Sequence, residues 1–146
     1  MAKKRTISAH KKTVWNKFSK WTRQRHADHA GYTECVTCNE WQPWKEMQAG
    51  HGIHCGSRGK ELIRFHPQNV HSQCGVCNTG QRMNSKYADF MYAEYGPKIF
   101  IELGKLEYAL HSWTHEELAH IEEILKWPNI GDAEEYLIEY LVQLKG

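Results

Sequence analysis

Aromatic and aliphatic residues recur at helical spacing near the start of the chain, at Val14, Trp15, Phe18 and Trp21. Lysines and arginines occupy many of the positions around them. The pattern predicts an amphipathic helix over residues 8–25, with an aromatic stripe and a basic face. We expect the stripe to pack in the core, with Trp15 and Trp21 as packing residues.

The middle of the chain predicts two strands on either side of a loop. Met47 to Gly52 is predicted to be the first strand, and residues 53–60 are rich in glycine and basic side chains, which favours a loop. Asn69 to Gln73 is the predicted returning strand, and helical character begins at Asn78 and ends near residue 96. The order strand, loop, strand and helix predicts a ββα unit.

The last third of the chain is predicted to be helical. One helix spans residues 99–110, and Thr114 with Glu117 forms a capping-box pattern that starts a second helix, which ends before Pro128. Asp132 is predicted to cap a final helix. The apolar faces of these helices exceed what one small core needs, so we expect them to form the surface of a homodimer.

The formal net charge of +2 conceals an asymmetry along the chain. Residues 1–34 hold 9 basic against 2 acidic residues, whereas residues 99–146 hold 3 basic against 10 acidic residues. A basic head with interleaved aromatic residues is typical of contact with nucleic acid, and the acidic tail fits a solvated helix face. The chain has no long apolar run, so we expect neither a membrane span nor a signal segment.

Four of the five cysteines form two C-x-x-C pairs with 35 residues between the pairs. Four thiolates are the ligand set of a closed structural zinc site, and paired spacing without a secretion signal indicates metal rather than disulfides. The fifth, Cys55, is expected to be a free thiol. Between the pairs, Trp41 and Trp44 flank Pro43, which predicts a loop. The predicted zinc ligands are Cys35, Cys38, Cys74 and Cys77.

Polar residues near the cysteine pairs are candidates for catalysis. His51 lies between two glycines at the end of the first predicted strand, where a neutral imidazole could take a proton from water. Asn69 could hydrogen-bond across the hairpin and fix the loop that holds His51. Asn78 could bind a hard cation through its carbonyl oxygen, or it could simply cap the helix. His71 could ligate the same cation or contact phosphate, or it could be a satisfied surface histidine.

Basic side chains are expected to contact the phosphate backbone of DNA, which sets the register without reading the sequence. A solvated surface is the alternative for these residues. In the loop between the strands they are Arg58, Lys60 and Arg64. In the N-terminal helix they are Lys11, Lys12, Lys17, Lys20, Arg23 and Arg25.

The order C-x-x-C, Gly50-His51, Asn69, C-x-x-C-Asn78 resembles the HNH (ββα-metal, His-Me finger) nucleases. Its zinc-bracketed form is similar to phage recombination endonuclease VII. Residues 48–51, 62–65 and 69–78 also resemble the core of the NinG/Rap recombination proteins of lambdoid phages, and the resemblance extends over about residues 10–127.

The resemblance implies that His51 is the general base, that Asn69 braces the motif and that Asn78 holds a divalent cation. Many HNH nucleases carry a metal-binding aspartate directly before the histidine, where this chain has glycine. The cation would then depend on Asn78 and waters, with help from His71 or Asn84.

Together these observations predict an α+β fold in three parts. Residues 1–30 form the basic helix, residues 31–96 the zinc-bracketed HNH core, and residues 97–146 a helical region. The expected function is a metal-dependent endonuclease that cuts branched recombination intermediates, such as a Holliday junction or D-loop, with structural Zn²⁺ and catalytic Mg²⁺ or Mn²⁺.

The expected partners are branched or duplex DNA and a second copy of the chain, in the cytoplasm of the bacterial host of a phage or prophage. One alternative is an HNH nicking endonuclease that acts on duplex DNA without branch preference. The other is a non-catalytic zinc module that binds DNA as a recombination accessory protein.

Overall fold

The computed structural model describes residues 4–56, 60–80 and 84–146. Its first element is helix α1 (Ile7–Gln24), which begins after Thr6, whose hydroxyl accepts a hydrogen bond from the Ala9 backbone N–H at 3.1 Å. Val14 and Phe18 are fully buried on the inner face of the helix. The predicted amphipathic helix is therefore confirmed.

Strands β1 (Tyr32–Glu34) and β2 (Trp41–Pro43) form a small antiparallel hairpin. Its turn is closed by a hydrogen bond from the Cys35 N–H to the Glu40 carbonyl at 2.8 Å. Asn39 adopts a left-handed φ of 65° in this turn, a conformation that asparagine tolerates better than most residues. The loop predicted around Pro43 is therefore wrong, because this segment is a strand followed by one 3-10 turn.

Strands β3 (Gln48–His51) and β4 (Val70–Gln73) form a second antiparallel pair. The connection between them contains a short helix, α2 (Glu61–Arg64), and helix α3 (Gly75–Thr79) follows β4 directly. The predicted order of strand, loop, strand and helix is therefore present, and the fold is mixed α+β.

The single helix predicted from Asn78 to residue 96 is wrong. Gly80 leaves the helical conformation, with φ and ψ of −93° and 106°, so α3 ends there. A separate helix, α4 (Asn84–Tyr95), continues the chain.

Three further helices complete the described chain: α5 (Lys98–Glu107), α6 (His115–Ile124) and α7 (Ile130–Lys145). The predicted capping box is confirmed, because the Thr114 hydroxyl accepts from the Glu117 N–H and the Glu117 carboxylate accepts from the Thr114 N–H. The cap predicted for the last helix is wrong. Asn129 caps α7 by accepting a hydrogen bond from the Asp132 N–H at 2.9 Å, so Asp132 lies inside the first turn.

One hydrophobic core joins the three predicted parts of the chain. It contains Val14 from α1, Leu62 from α2 and the inner faces of α5, α6 and α7, where Leu103, Ile121 and Leu137 are fully buried. The C-terminal helices therefore bury their apolar faces within the chain itself. The homodimer and the domain boundaries stay predictions.

The basic head and the acidic tail of the sequence pair with each other in the fold. Glu122 of α6 accepts hydrogen bonds from Lys17 and from His10 of α1, and Arg25 pairs with Glu134 of α7 at 3.4 Å. Part of the charge asymmetry thus stabilises the packing of α1 on the C-terminal helices rather than facing a partner. Among the described residues, every helix is too short or too polar to cross a bilayer.

Candidate functional site

Four cysteines from two distant parts of the chain lie together, with their sulfur atoms all within 4.8 Å of one another. The first pair lies on the turn between β1 and β2, and the second pair begins α3. The Val36 N–H donates to the Ser72 carbonyl at 3.1 Å, which ties the two backbones together beside the sulfur atoms. The four cysteines are Cys35, Cys38, Cys74 and Cys77.

The chemistry of this cysteine cluster suits a closed metal site. Cys38 is exposed, and its three companions are buried. Burial raises the pKa of the Cys77 thiol, and its hydrogen bonds with the neighbouring thiols raise it further. A bound cation would favour the thiolate forms and offset this effect. The cluster can therefore hold a structural metal such as zinc, whereas Cys55 is a free, buried thiol outside it.

His51 lies at the C-terminal end of β3, opposite Val70 of β4. Its ring stacks on the indole of Trp15 from α1, with ring centroids 5.0 Å apart and an interplanar angle of 16°. Its Nε2 lies 3.2 Å from the carbonyl oxygen of Arg64 at the end of α2. Three elements therefore fix the position of this imidazole.

The Arg64 carbonyl decides the tautomer of His51. A carbonyl oxygen only accepts hydrogen bonds, so Nε2 must carry the proton and donate it. The neutral ring then bears its lone pair on Nδ1, for which the described residues provide no hydrogen-bond partner. Burial lowers the pKa of His51 to about 4, although the bond to the Arg64 carbonyl opposes this shift. The imidazole is therefore a neutral proton acceptor at physiological pH.

Asn69 is fully buried and braces the connection after β3. Its Oδ1 accepts from the Ile53 N–H at 2.7 Å, and its Nδ2 donates to the carbonyls of Ile53 and Ile63 at 3.1 and 3.2 Å. The amide therefore joins the segment after His51 to helix α2, which carries the carbonyl that orients the imidazole. These are hydrogen bonds of the kind predicted for Asn69.

Asn78 lies on α3 and is exposed. Its Nδ2 donates to Gln48 Oε1 at 2.7 Å, so its carbonyl oxygen points the other way. That oxygen lies close to Gly50, because a Cβ placed on this glycine would be 2.7 Å from it. An amide oxygen of an exposed side chain, held beside Gly50, fits a hard cation such as Mg²⁺.

The glycines beside His51 are required by side-chain packing. A Cβ on Gly50 would overlap Gln73 Oε1, and a Cβ on Gly52 would overlap the sulfur of Met91.

His71 does not fit the role of cation ligand predicted for it. Its Nδ1 lies 3.0 Å from the Tyr87 hydroxyl and its Nε2 lies 2.6 Å from the Tyr95 hydroxyl, and the side chain is buried. Burial lowers the pKa of His71 well below its usual value, so the ring stays neutral inside this network. The prediction for His71 is wrong because both nitrogens are already used.

Arg25 is also wrongly predicted as a DNA contact. Its side chain is 2% exposed, and its Nη2 donates to the carbonyls of Pro67 and Val70 at 2.8 and 2.7 Å. The guanidinium therefore supports the start of β4 from inside the fold. No phosphate can reach it.

The other basic residues predicted to contact DNA differ in whether they have partners within the chain. Lys12 and Lys20 on α1 are exposed. Acidic side chains of the same chain pair with Lys11, Lys17 and Lys60. Arg23 donates to the carbonyls of Trp44 and Met47. Arg64 pairs with Glu61 and donates to the Gly56 carbonyl. Arg58 and the side chain of Asn84 lie outside the described residues.

Sequence reasoning missed the residues that orient the candidate site. Trp15 was assigned to packing alone, although it covers His51. Gln48 and Gln73 face each other in the β3–β4 register, and each lies beside the site. Tyr87 donates to the Gly50 carbonyl at 2.6 Å. The register of the hairpin is the one signal that could have paired the two glutamines.

The chain matches the family model described as Bacteriophage Lambda NinG protein over residues 1–128. It belongs to the NinG family. Membership identifies it as a phage recombination-related protein and points to a phage origin. The match covers α1 to α6 of this NinG-family chain and leaves α7 outside. No curated protein and no solved structure matches the chain.

Replacing one cysteine of the cluster is expected to abolish metal binding and folding together. Cys77→Ser should lose zinc and lower the thermal unfolding midpoint sharply, because a structural zinc contributes on the order of 10 kcal/mol to the folded state. Zinc content and circular dichroism melting measure both effects. Cys55→Ser, a buried cysteine outside the cluster, is the control and should keep one zinc per chain. A Cys77→Ser chain that melts like the wild type would contradict this prediction.

The imidazole of His51 is expected to titrate with a pKa of about 4 in the folded chain. The same ring titrates near 6.5 in the unfolded chain. The unfolded state therefore binds more protons between these values, so this residue's contribution to stability is present above pH 6.5 and is lost as the pH falls towards 4. NMR titration measures the folded value, and Trp15→Ala should raise it by exposing the ring. A folded pKa near 6.5 in the wild type would show that His51 is not shielded.

Proposed function

We propose that this NinG-family chain is a metal-dependent DNA endonuclease of the HNH type that cuts branched recombination intermediates. The observation that carries the proposal is the hydrogen bond from His51 Nε2 to the Arg64 carbonyl, which leaves the Nδ1 lone pair without a partner among the described residues. The ring is only partly buried, and its remaining nitrogen is a proton acceptor. Family membership supplies the recombination context.

In this proposal His51 acts as the general base. Its Nδ1 takes a proton from a water molecule, which then attacks the phosphorus of a DNA phosphodiester. The Arg64 carbonyl stabilises the resulting imidazolium, because the Nε2–H bond to it strengthens as the ring becomes positive. Trp15 holds the ring plane and shields one face from solvent. Asn69 keeps the Arg64 helix and the His51 segment in register.

Asn78 is the proposed protein ligand of the divalent cation. The Gln48 side chain holds the Asn78 amide so that its oxygen lies beside Gly50, the residue before His51. When bound there, Mg²⁺ or Mn²⁺ would supply positive charge to the phosphate and to the leaving 3′ oxygen. The cut product would then carry a 5′ phosphate.

DNA would approach over the face of α1 that carries Trp15. Lys12 lies one turn before Trp15 on the helix and is exposed, so it is positioned to contact a phosphate near His51. Arg64 contributes its carbonyl to His51 and its guanidinium to the adjacent loop, where Nη2 donates to the Gly56 carbonyl. We propose phosphate contact for these side chains, together with Lys20. A four-way junction needs two cuts, for which a two-fold dimer of this chain is proposed.

The deciding experiment compares cleavage of a synthetic four-way junction and of its linear duplex arms, with Mg²⁺ present. The wild type should cut the junction faster than the arms and leave 5′ phosphates. His51→Ala should lose about 10²–10⁴-fold in rate, the range expected for a general base. His54→Ala is the matched control, because this exposed histidine lies three residues away, and its rate should equal that of the wild type.

Each other outcome selects a different function. Equal cutting of junction and arms would indicate an HNH nicking enzyme without branch preference. Junction binding without any cutting, in chains that contain zinc, would indicate a non-catalytic DNA-binding module. Cutting that survives in His51→Ala would remove this histidine from the chemistry.

A further inference from the structure

Two amide side chains converge on Gly50, one from β4 and one from α3. A Cβ placed on this glycine would overlap Gln73 Oε1 and would lie 2.7 Å from Asn78 Oδ1. Gln73 Oε1 therefore occupies the space where a side chain at position 50 would lie. Because both oxygens lie within 2.7 Å of one point, a single cation with bonds to oxygen of about 2.0–2.6 Å could contact both.

Hydrogen bonds orient both amides in the structure. Gln73 Nε2 donates to the Thr37 hydroxyl at 2.7 Å, and Asn78 Nδ2 donates to Gln48 Oε1 at 2.7 Å. Each donor group is thereby turned away from Gly50, and each acceptor oxygen is turned towards it. Two amide oxygens brought together in this way repel each other electrostatically, and a cation between them would reverse that repulsion.

Gln73 is buried, and among the described residues no donor reaches its Oε1. A bound cation would give this oxygen a partner.

From this geometry we infer that Gln73 supplies a second protein ligand for the divalent cation, beside Asn78. The inference rests on the proposed endonuclease function and names a ligand that the sequence motif does not contain. Gln73 would place its oxygen where an acidic side chain at position 50 would otherwise bring one. Thr37, on the first cysteine turn, would be the positioning residue that keeps the Gln73 oxygen facing the cation.

The test measures Mn²⁺ binding directly, by electron paramagnetic resonance of free Mn²⁺ in solutions of zinc-loaded protein. The chains also carry His51→Ala, so that the added junction DNA stays intact. Gln73→Met fills the same space without an oxygen and should weaken Mn²⁺ binding by about 10-fold, the lower end of the loss seen when metal-site groups are removed. Gln73→Glu restores an oxygen and adds a negative charge, so it should bind Mn²⁺ more tightly than Gln73 does.

Controls separate loss of the ligand from loss of the fold. Gln143→Met changes an exposed glutamine on α7 and should leave Mn²⁺ binding unchanged. Thr37→Val removes the hydroxyl that accepts from Gln73 Nε2 but keeps the Gln73 oxygen. It should therefore weaken Mn²⁺ binding less than Gln73→Met does. Zinc content must remain one per chain in every variant. If Gln73→Met loses its zinc, Gln73→Glu is compared instead with the chain that keeps Gln73. Tighter Mn²⁺ binding by Gln73→Glu supports the inference, and unchanged Mn²⁺ binding overturns it.

The same experiment distinguishes the two ways of failing. If chains with native His51 cut DNA and bind Mn²⁺, and zinc-loaded Gln73→Met binds Mn²⁺ as tightly as Gln73 does, the inference fails and the proposed function stands. If chains with native His51 neither cut nor bind Mn²⁺, the proposed function fails and the inference fails with it. Both the inference and the proposed function are supported if Gln73→Met binds Mn²⁺ more weakly and, in the chain with native His51, needs a correspondingly higher Mn²⁺ concentration for cleavage.

Discussion

Four sulfur atoms within 4.8 Å of one another are the constraint on which the candidate site depends. Each strand of the β3–β4 pair has only four residues, and an isolated two-stranded pair of that length is marginal in water. The cysteine cluster lies at the turn after β1 and at the end of β4, so a metal bound there would join both ends of the segment that carries His51. Arg25 stabilises the other end of β4, because it donates hydrogen bonds to the carbonyls of Pro67 and Val70. A bound metal and the guanidinium would thus stabilise the same short strands from different sides.

The N-terminal helix α1 also forms part of the surroundings of His51. Trp15 stacks on His51, and the charge pairs of α1 with α6 and α7 hold this helix in place. The charge asymmetry of the sequence therefore has an internal use. Lys12 and Lys20 are exposed lysines of the helix that pair with no acid among the described residues, so they can contact a partner. The position of the proposed base, His51, therefore depends on more than the ββα unit. Its environment is built from α1, from the hairpin and from the Arg64 carbonyl at the end of α2.

Local sequence patterns predicted the parts of this structure that depend on local physics. The helical spacing of Val14 and Phe18, the capping box at Thr114 and the C-x-x-C spacing each depend on residues close together in the chain. The errors at His71 and Arg25 depend on contacts between distant residues. His71 was predicted as a ligand because it lies two residues from Asn69, but Tyr87 and Tyr95 on α4 occupy its nitrogens. Arg25 was predicted as a surface cation because of its neighbours, but its partners are more than 40 residues away. The closeness of Gln73 to Gly50 had no local sequence signal, since it exists only in the folded hairpin.

The central claim is that the metal-held hairpin leaves a basic Nδ1 on His51. The most direct measurement is the tautomer of this imidazole, read from the two ring ¹⁵N chemical shifts by long-range NMR correlation, before and after a chelator removes the zinc. The account predicts the Nε2–H tautomer in the zinc-loaded chain and its loss, with averaging of the two nitrogens, once the zinc is removed. An Nδ1–H tautomer in the loaded chain, or an Nε2–H tautomer that persists without metal, would contradict it.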